Sequence, residues 1–338
     1  MTAEVLTIKT QAQFNEAVKL AAELLRAGQL VALPTETVYG LAANAWDVEA
    51  VRRIFEAKGR PAENPIIVHV ASLELARSCV SAWPAAADRL AAAFWPGPLT
   101  LVLPRSEEIP SLVTASGATV GVRWPSHPFI QAVIQACGFP LAAPSANLST
   151  ELSPTAAEHV RKSLGAKISL IIDGGPADVG IESSVLDLTS TPPRLLRPGM
   201  ISADSLQAVL GEGAVEIGGA PEAIARSPGQ LLRHYSPEAR LEVLRWRDEA
   251  DLAAQVSAFG LAREKIHLVT HSHVPLREQF GRVAFIPPNA EAFARALYAE
   301  LHRSDEAGAE LIIVEAPPPA ESWRGIADRL RRAAYSQR

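Results

Sequence analysis

The sequence predicts an α/β protein: a mixed sheet covered by helices, followed by a smaller α/β domain. Three observations carry that expectation. The 338 residues suit two domains, each large enough to bury its own core without disulfide or metal staples. Helical stripes alternate with short apolar runs along nearly the whole chain. Between about 218 and 240 that alternation lapses into a stretch rich in Gly, Pro and Ser, which reads as a linker. The expected domains are therefore 1–217 and 241–338, joined by 218–240.

The elements follow in order. Thr10 with Gln13 forms a capping box, Phe14, Val18, Ala21 and Leu25 make one stripe, and Gly28 stops this first helix. A strand over 30–34 runs into the turn Pro34-Thr-Glu-Thr37, which gathers hydroxyl, carboxylate and backbone N–H groups at a strand end. Helical stretches recur at 47–58, 72–81, 84–95, 127–138, 155–165 and 202–211. Apolar strand candidates fall at 65–70, 99–104, 118–124, 140–144, 169–173, 183–188 and 194–198. After Arg240 the cycle resumes with strands at 241–246, 265–270, 281–286 and 310–315 and helices at 248–259, 289–304 and 321–335, a pattern that suits a parallel sheet. Phe293, Leu297 and Leu301 form the stripe by which one of these helices packs on it.

Composition narrows the class. Hydrophobic residues make up 48% and charged residues 20%, as in globular proteins, and no apolar run reaches the roughly 18 residues of a membrane span. The N-terminus lacks the basic start and cleavage site of a signal peptide, so a cytoplasmic enzyme is expected. Cys79 and Cys137 stand alone in apolar contexts and read as buried thiols. The net charge of −5 offers no global field for nucleic acid. Up to residue 217 there are 16 basic and 21 acidic residues, so any polyanion site must be a local cluster.

Several constellations have the residue types for such a site. Lys58 and Arg60 follow an apolar helical stripe and precede Asn64; a point charge and a guanidinium fork suit a polyphosphate, though cations there also answer a helix dipole. His69 lies within an apolar strand, where a lone histidine is more often a satisfied core residue. Arg123 on another strand needs a carboxylate or phosphate partner if it is buried. Ala142-Ala-Pro-Ser145-Ala-Asn147 ends a strand with polar groups, and Ser183 and Arg197 follow in the same style. His271 and His273 alternate with no carboxylate or thiol nearby, so metal binding is not expected. No Gly-x-Ser-x-Gly elbow, Walker lysine loop or Gly-x-Gly-x-x-Gly is present.

Taken together, Pro34-Thr-Glu-Thr-Val-Tyr-Gly, Lys58-x-Arg60, Asn64-Pro, Trp95-Pro-Gly-Pro-Leu-Thr, Val122-Arg-Trp-Pro-Ser-His-Pro, Pro144-Ser-Ala-Asn, Gly180-Ile-Glu-Ser and Leu196-Arg-Pro-Gly resemble the YrdC-like threonylcarbamoyl-AMP synthase family. The match spans roughly 10 to 217. Ser227-Pro-Gly with Arg233-His-Tyr-Ser-Pro looks like the linker of the family's longer, two-domain members. The resemblance implies a YrdC-like twisted mixed sheet, an ordered linker crossing the active site, and a smaller Rossmann-like α/β domain.

It also implies an activity. Members make threonylcarbamoyl-adenylate and pyrophosphate from L-threonine, bicarbonate or CO2, and ATP with Mg2+, for downstream tRNA threonylcarbamoyl-transfer proteins. By resemblance Thr37, His69, Arg123, Ala143 and Ser183 line the threonine pocket, with Arg123 on the carboxylate. Arg60, Asn64, Thr119, Ser145, Asn147, Ser153, Arg197 and Tyr235 contact the nucleotide, and Lys58 and Arg60 act at the phosphates. No protein metal site is implied. Glu36 reads as a turn residue, a base being the alternative. Ser149-Thr150 and Ser184 depart from the family's usual Ser-Gly and threonine, but they keep small polar groups.

Two rival readings are an RNA-binding module of the translation apparatus and a carbamoyl transferase. The acidic balance weighs against strong nucleic-acid binding, and the absence of zinc-finger-type cysteines weighs against the transferase.

Overall fold

The computed structural model describes residues 2–218, 235–272 and 280–334. The chain divides into two compact units, Met1–Ser149 with Ser153–Gln230, and Thr150–Leu152 with Leu231–Arg338. Most of the expected linker, 219–234, and His273 lie outside the described residues.

In the first unit an 11-stranded mixed sheet runs β1-β8-β2-β3-β7-β4-β6-β5-β9-β10-β11. The strands that shape the site are β2 (Val31–Leu33), β3 (Gly40–Asn44), β4 (Val68–His69), β5 (Leu99–Pro104), β6 (Thr119–Arg123), β7 (Leu141–Ala142), β9 (Ser184–Asp187) and β10 (Arg194–Arg197). The first helix, α1 (Gln11–Arg26), has the expected capping box, Thr10 accepting from Gln13 N–H while the Gln13 side chain accepts from Thr10 N–H. Its buried face, Ala17, Ala21, Ala22 and Leu25, packs with Phe129, Ile130 and Val133 of α5 (Pro128–Cys137) on one side of the sheet. The Phe14 and Phe129 rings meet edge to face at 5.2 Å. Helices α2 (Val48–Lys58) and α4 (Ala85–Phe94) belong to the larger second core.

Three strands escape the sequence pattern. β1 (Glu4–Thr7) is a short edge strand pairing with β8 (Leu170–Asp173), and β11 (Glu216–Ile217) is a two-residue strand pairing parallel with β10. The third, β3, reads Gly-Leu-Ala-Ala-Asn, whose small residues give no β signal; it is held by antiparallel pairing with β2 and β7. The helix expected over 72–81 is only Leu73–Ser78. Cys79 and Cys137 are free and buried.

The second unit carries a parallel four-stranded sheet, β12-β15-β13-β14, formed by Arg240–Leu244, Leu311–Glu315, Ile266–Thr270 and Arg282–Phe285. Strands joined through helices must run parallel, and α8 (Glu249–Ser257) and α9 (Ala290–Glu306) supply those crossovers. Phe293, Leu297 and Leu301 of α9 are all buried, as their stripe predicts. His271 does meet a carboxylate, contrary to expectation: Glu315, distant in sequence, lies 3.9 Å away and accepts from the backbone N–H of His271 and Ser272. No group of three or more His, Cys, Asp or Glu side chains able to hold a metal occurs among the described residues. No helix there is long and apolar enough to cross a membrane.

Candidate functional site

The Pro34–Thr37 turn leaves β2 and is fixed by its own hydroxyls. Thr35 Oγ1 donates to Val38 O at 2.6 Å and accepts from the backbone N–H of Thr37 at 3.2 Å. The carbonyls of Glu36 and Thr37 accept from Val179 and Gly180 N–H. Thr35, Glu36 and Thr37 are all buried. The Thr35 hydroxyl and backbone bonds therefore set the shape of the turn without the Glu36 side chain.

Arg123, the last residue of β6, reaches this turn. Its Nη1 donates to Thr37 Oγ1 at 2.9 Å and its Nε to Gly97 O at 3.2 Å. Its Nη2 stands 2.7 Å from Glu36 Oε1, with both side chains almost fully buried. That contact is an ion pair without hydrogen-bond alignment, so Nη2 and both Glu36 carboxylate oxygens lack a hydrogen-bond partner. His69 pairs with Arg123 across β4 and β6 and with Leu141 across β4 and β7. Burial, then the neighbouring Arg123 charge, push its imidazole down to about 3. The ring is neutral at ordinary pH, and its Nδ1 also has no partner.

Ser183, just before β9, lies at the same end of the sheet. Its Oγ is 2.8 Å from Thr100 Oγ1, and Arg197 donates to Ser183 O at 3.0 Å and Oγ at 3.1 Å. Ser184 N–H donates to Pro98 O, so the Arg123 and Ser183 groups grip the two residues of one Gly97-Pro98 turn. Ser184 Oγ bonds Ile201 O at 2.7 Å, which accounts for its hydroxyl.

A second group forms at the opposite ends of β4 and β6. Thr119 opens β6 and is about 13 Å from Arg123 along the strand, at ~3.3 Å per residue. Arg60 donates to Asn64 O at 3.1 Å and to Pro65 O at 2.7 Å. Asn64 Nδ2 is buried without a partner. Lys58 ends α2, whose cap Gly59 takes φ of +58°, and its ammonium donates to the carbonyls of Ser145 and Asn147. Ser145 itself bridges to Gly40, and Ala143 N–H donates to Ile67 O at 3.2 Å.

These contacts sort the expected residues. Thr37, His69, Arg123, Ser183 and Arg197 belong to the first group, although resemblance gives Arg197 to the nucleotide. Lys58, Arg60, Asn64, Thr119, Ser145 and Asn147 form the second, while Ala143 is buried on the segment that joins β7 to Ser145. Ser153 is buried and donates to Glu182. Tyr235 belongs to the second unit, where it takes φ of +63° and packs on Tyr298 and Arg329, with ring centroids 5.9 Å apart and the guanidinium 5.4 Å from its ring. Thr150, where the family usually has glycine, takes φ of +75°, a strained conformation for a β-branched residue.

Sequence reasoning gave no role to Thr100 or Glu182, and for Glu36 it favoured the turn over a base. Thr100 had one signal, a hydroxyl inside an otherwise apolar strand.

Two family models match the chain, meeting near residue 200. A Sua5, YciO and YrdC family model described as "Telomere recombination" matches residues 23–199, and one described as "Threonylcarbamoyl-AMP synthase, C-terminal domain" matches 201–335. The threonylcarbamoyl-AMP synthase of Pyrococcus abyssi is 41% identical over 94% of this chain and 94% of its own length. That of Bacillus subtilis is 40% identical over 93% and 92%. The structure of Pyrococcus abyssi Sua5 complexed with L-threonine superposes with a TM-score of 0.89 at 38% identity, covering 99% of this chain and 98% of that one.

Proposed function

This chain belongs to the threonylcarbamoyl-AMP synthase family, and on that premise we propose how its first unit joins L-threonine, a one-carbon unit from bicarbonate or CO2, and ATP. As a threonylcarbamoyl-AMP synthase it forms threonylcarbamoyl-adenylate for the tRNA threonylcarbamoyladenosine modification. Threonine and ATP are its substrates. The observation that carries the mechanistic reading is the placement of four buried cations, Lys58, Arg60, Arg123 and Arg197, at element ends of one unit. Two anions that repel each other, an amino-acid carboxylate and a triphosphate, need such an arrangement to meet.

In this reading the Arg123 guanidinium takes the threonine carboxylate, with Thr37, His69, Ala143 and Ser183 around it. The neutral His69 ring offers a hydrogen bond without competing charge. Arg60, Asn64, Thr119, Ser145, Asn147, Ser153 and Arg197 hold the nucleotide. The threonine amine captures CO2 as a carbamate. A carbamate oxygen attacks the α-phosphorus in line, its new O–P bond forming as the bond to pyrophosphate breaks. No enzyme nucleophile is required. Lys58, Arg60 and Arg197 hold negative charge as it develops on the leaving group.

The nucleotide would carry magnesium, which would supply further positive charge at the phosphates, and the donor set of Lys58, Arg60, Asn64 and Ser145 suits phosphate oxygens. The product passes to tRNA threonylcarbamoyl-transfer proteins in the cytoplasm, without strong direct nucleic-acid binding by this chain and without a membrane.

The test is the reaction itself. Purified protein with ATP, magnesium and bicarbonate releases pyrophosphate when threonine is added; release that ignores threonine contradicts the proposal. Tight, salt-sensitive tRNA binding without ATP turnover would instead favour an RNA-binding module.

A further inference from the structure

Glu36 carries an unspent buried charge. Its carboxylate offers about four lone-pair sites, yet neither oxygen accepts a hydrogen bond. A carboxylate kept only to balance Arg123 should meet it in an aligned fork, because desolvation outweighs a poorly formed buried pair. Arg123 instead spends Nη1 on Thr37 and Nε on Gly97, leaving Nη2 beside Oε1 at 2.7 Å without alignment. The turn does not need the carboxylate either, since Thr35 and the N–H groups of Val179 and Gly180 hold its backbone. The structural role expected from sequence therefore accounts for neither oxygen.

An α-amino acid carries a carboxylate and an ammonium on one carbon. Its complement is a cation and an anion side by side, each with hydrogen-bonding capacity to spare, which describes Arg123 Nη2 and Glu36. From this geometry we infer that Glu36 receives the ammonium of the amino-acid substrate and takes one of its protons, making Glu36 a catalytic residue of the carbamate-forming step. The inference rests on the proposed function. Its proton balance is complete: Glu36 accepts one ammonium proton, and the freed nitrogen lone pair forms the N–C bond to CO2, whose π electrons move to oxygen. The hydroxide released when bicarbonate supplies that CO2 accepts the second nitrogen proton as water. Without Glu36 the substrate would hold its nitrogen lone pair as N–H, unable to attack carbon.

The experiment compares L-threonine with 3-hydroxybutyrate, which lacks only the amine, in wild type, Glu36→Gln and Glu36→Asp. Wild type should bind threonine between about 10-fold and 150-fold more tightly than the analogue. Glu36→Gln should lose that preference while binding 3-hydroxybutyrate and ATP as wild type does, and kcat should fall at least about 100-fold. Glu36→Asp keeps the charge and should recover part of both preference and rate; it also serves if Glu36→Gln fails to fold. Equal loss of affinity for both ligands in Glu36→Gln, an unchanged preference in Glu36→Gln, or an unchanged preference and rate in Glu36→Asp, whose carboxylate is one carbon shorter, overturns the inference. If wild type itself shows no threonine-dependent pyrophosphate release, the failure lies with the proposed function instead.

Discussion

Gly199→Ala is expected to disable the site from outside it. A Cβ on Gly199 would stand 2.5 Å from Ser184 N, 2.8 Å from Glu182 O and 2.8 Å from the carbonyl carbon of Ser183. All three are backbone atoms, so no side chain can rotate away. Ordinary contact begins at 3.4 Å, and the difference from 2.5 Å requires a retreat of about 0.9 Å by 182–184 or by the Gly199 loop. Ser183 sits in the middle of that segment, with its Oγ 2.8 Å from Thr100 and 3.1 Å from Arg197. With Ser183 proposed to line the threonine pocket, a displacement of that size should lower kcat/KM for threonine by about 10-fold to 100-fold. Overpacking should also cost about 1–3 kcal/mol of stability, or ~2–4 °C in Tm for each kcal/mol in a unit of this size.

Gly138→Ala provides the control. Gly138 caps α5 at φ of +78° with nothing within 4 Å of its would-be Cβ, so alanine there strains the backbone by about 1 kcal/mol without moving the site. Threonine-dependent pyrophosphate release and thermal unfolding are measured on both variants. Loss of Tm with unchanged kcat/KM in Gly199→Ala would refute the placement of Ser183 and Arg197 against substrate.

Two further outcomes follow. His69 is held near a pKa of about 3, below its ordinary 6.5, so the unfolded chain binds a proton that the folded chain refuses between those values. Stability should fall as pH drops below 6.5, by up to about 1.4 kcal/mol per pH unit from this residue, and urea unfolding of His69→Gln should lack that component; identical pH slopes in the two proteins would refute a neutral His69. Arg60→Lys keeps the charge but cannot both bridge Asn64 O and Pro65 O and present a fork to phosphate. KM for ATP should rise about 10-fold or more with threonine affinity unchanged, and unaltered ATP kinetics would remove Arg60 from the nucleotide site.

The sequence exposes what depends on local chemistry. The capping box at Thr10 and Gln13, the Phe293 stripe and the strand-end turn at Pro34 all declare themselves within a few residues. β3 does not, because Leu41-Ala-Ala becomes strand only through neighbours at β2 and β7. In the same way Glu315 meets His271 across two strands far apart in sequence, and Glu182 meets Ser153 across an intervening helix and strand. His69 shows the limit most plainly. Its strand context predicts a satisfied core residue, while pairing with Arg123 leaves it buried, neutral and with Nδ1 free of any hydrogen bond. Motif resemblance points to Arg123 and Thr37, and only the geometry shows that neither oxygen of Glu36, ion-paired with Arg123, accepts a hydrogen bond.

The most direct test follows the carbon. With isotopically labelled bicarbonate, ATP and L-threonine, mass analysis of the reaction should find an adenylate that carries the threonine, the labelled carbon and a single phosphate, with pyrophosphate formed in equal amount. An adenylate of threonine without that carbon, or labelled carbamoyl product lacking AMP, would contradict the account.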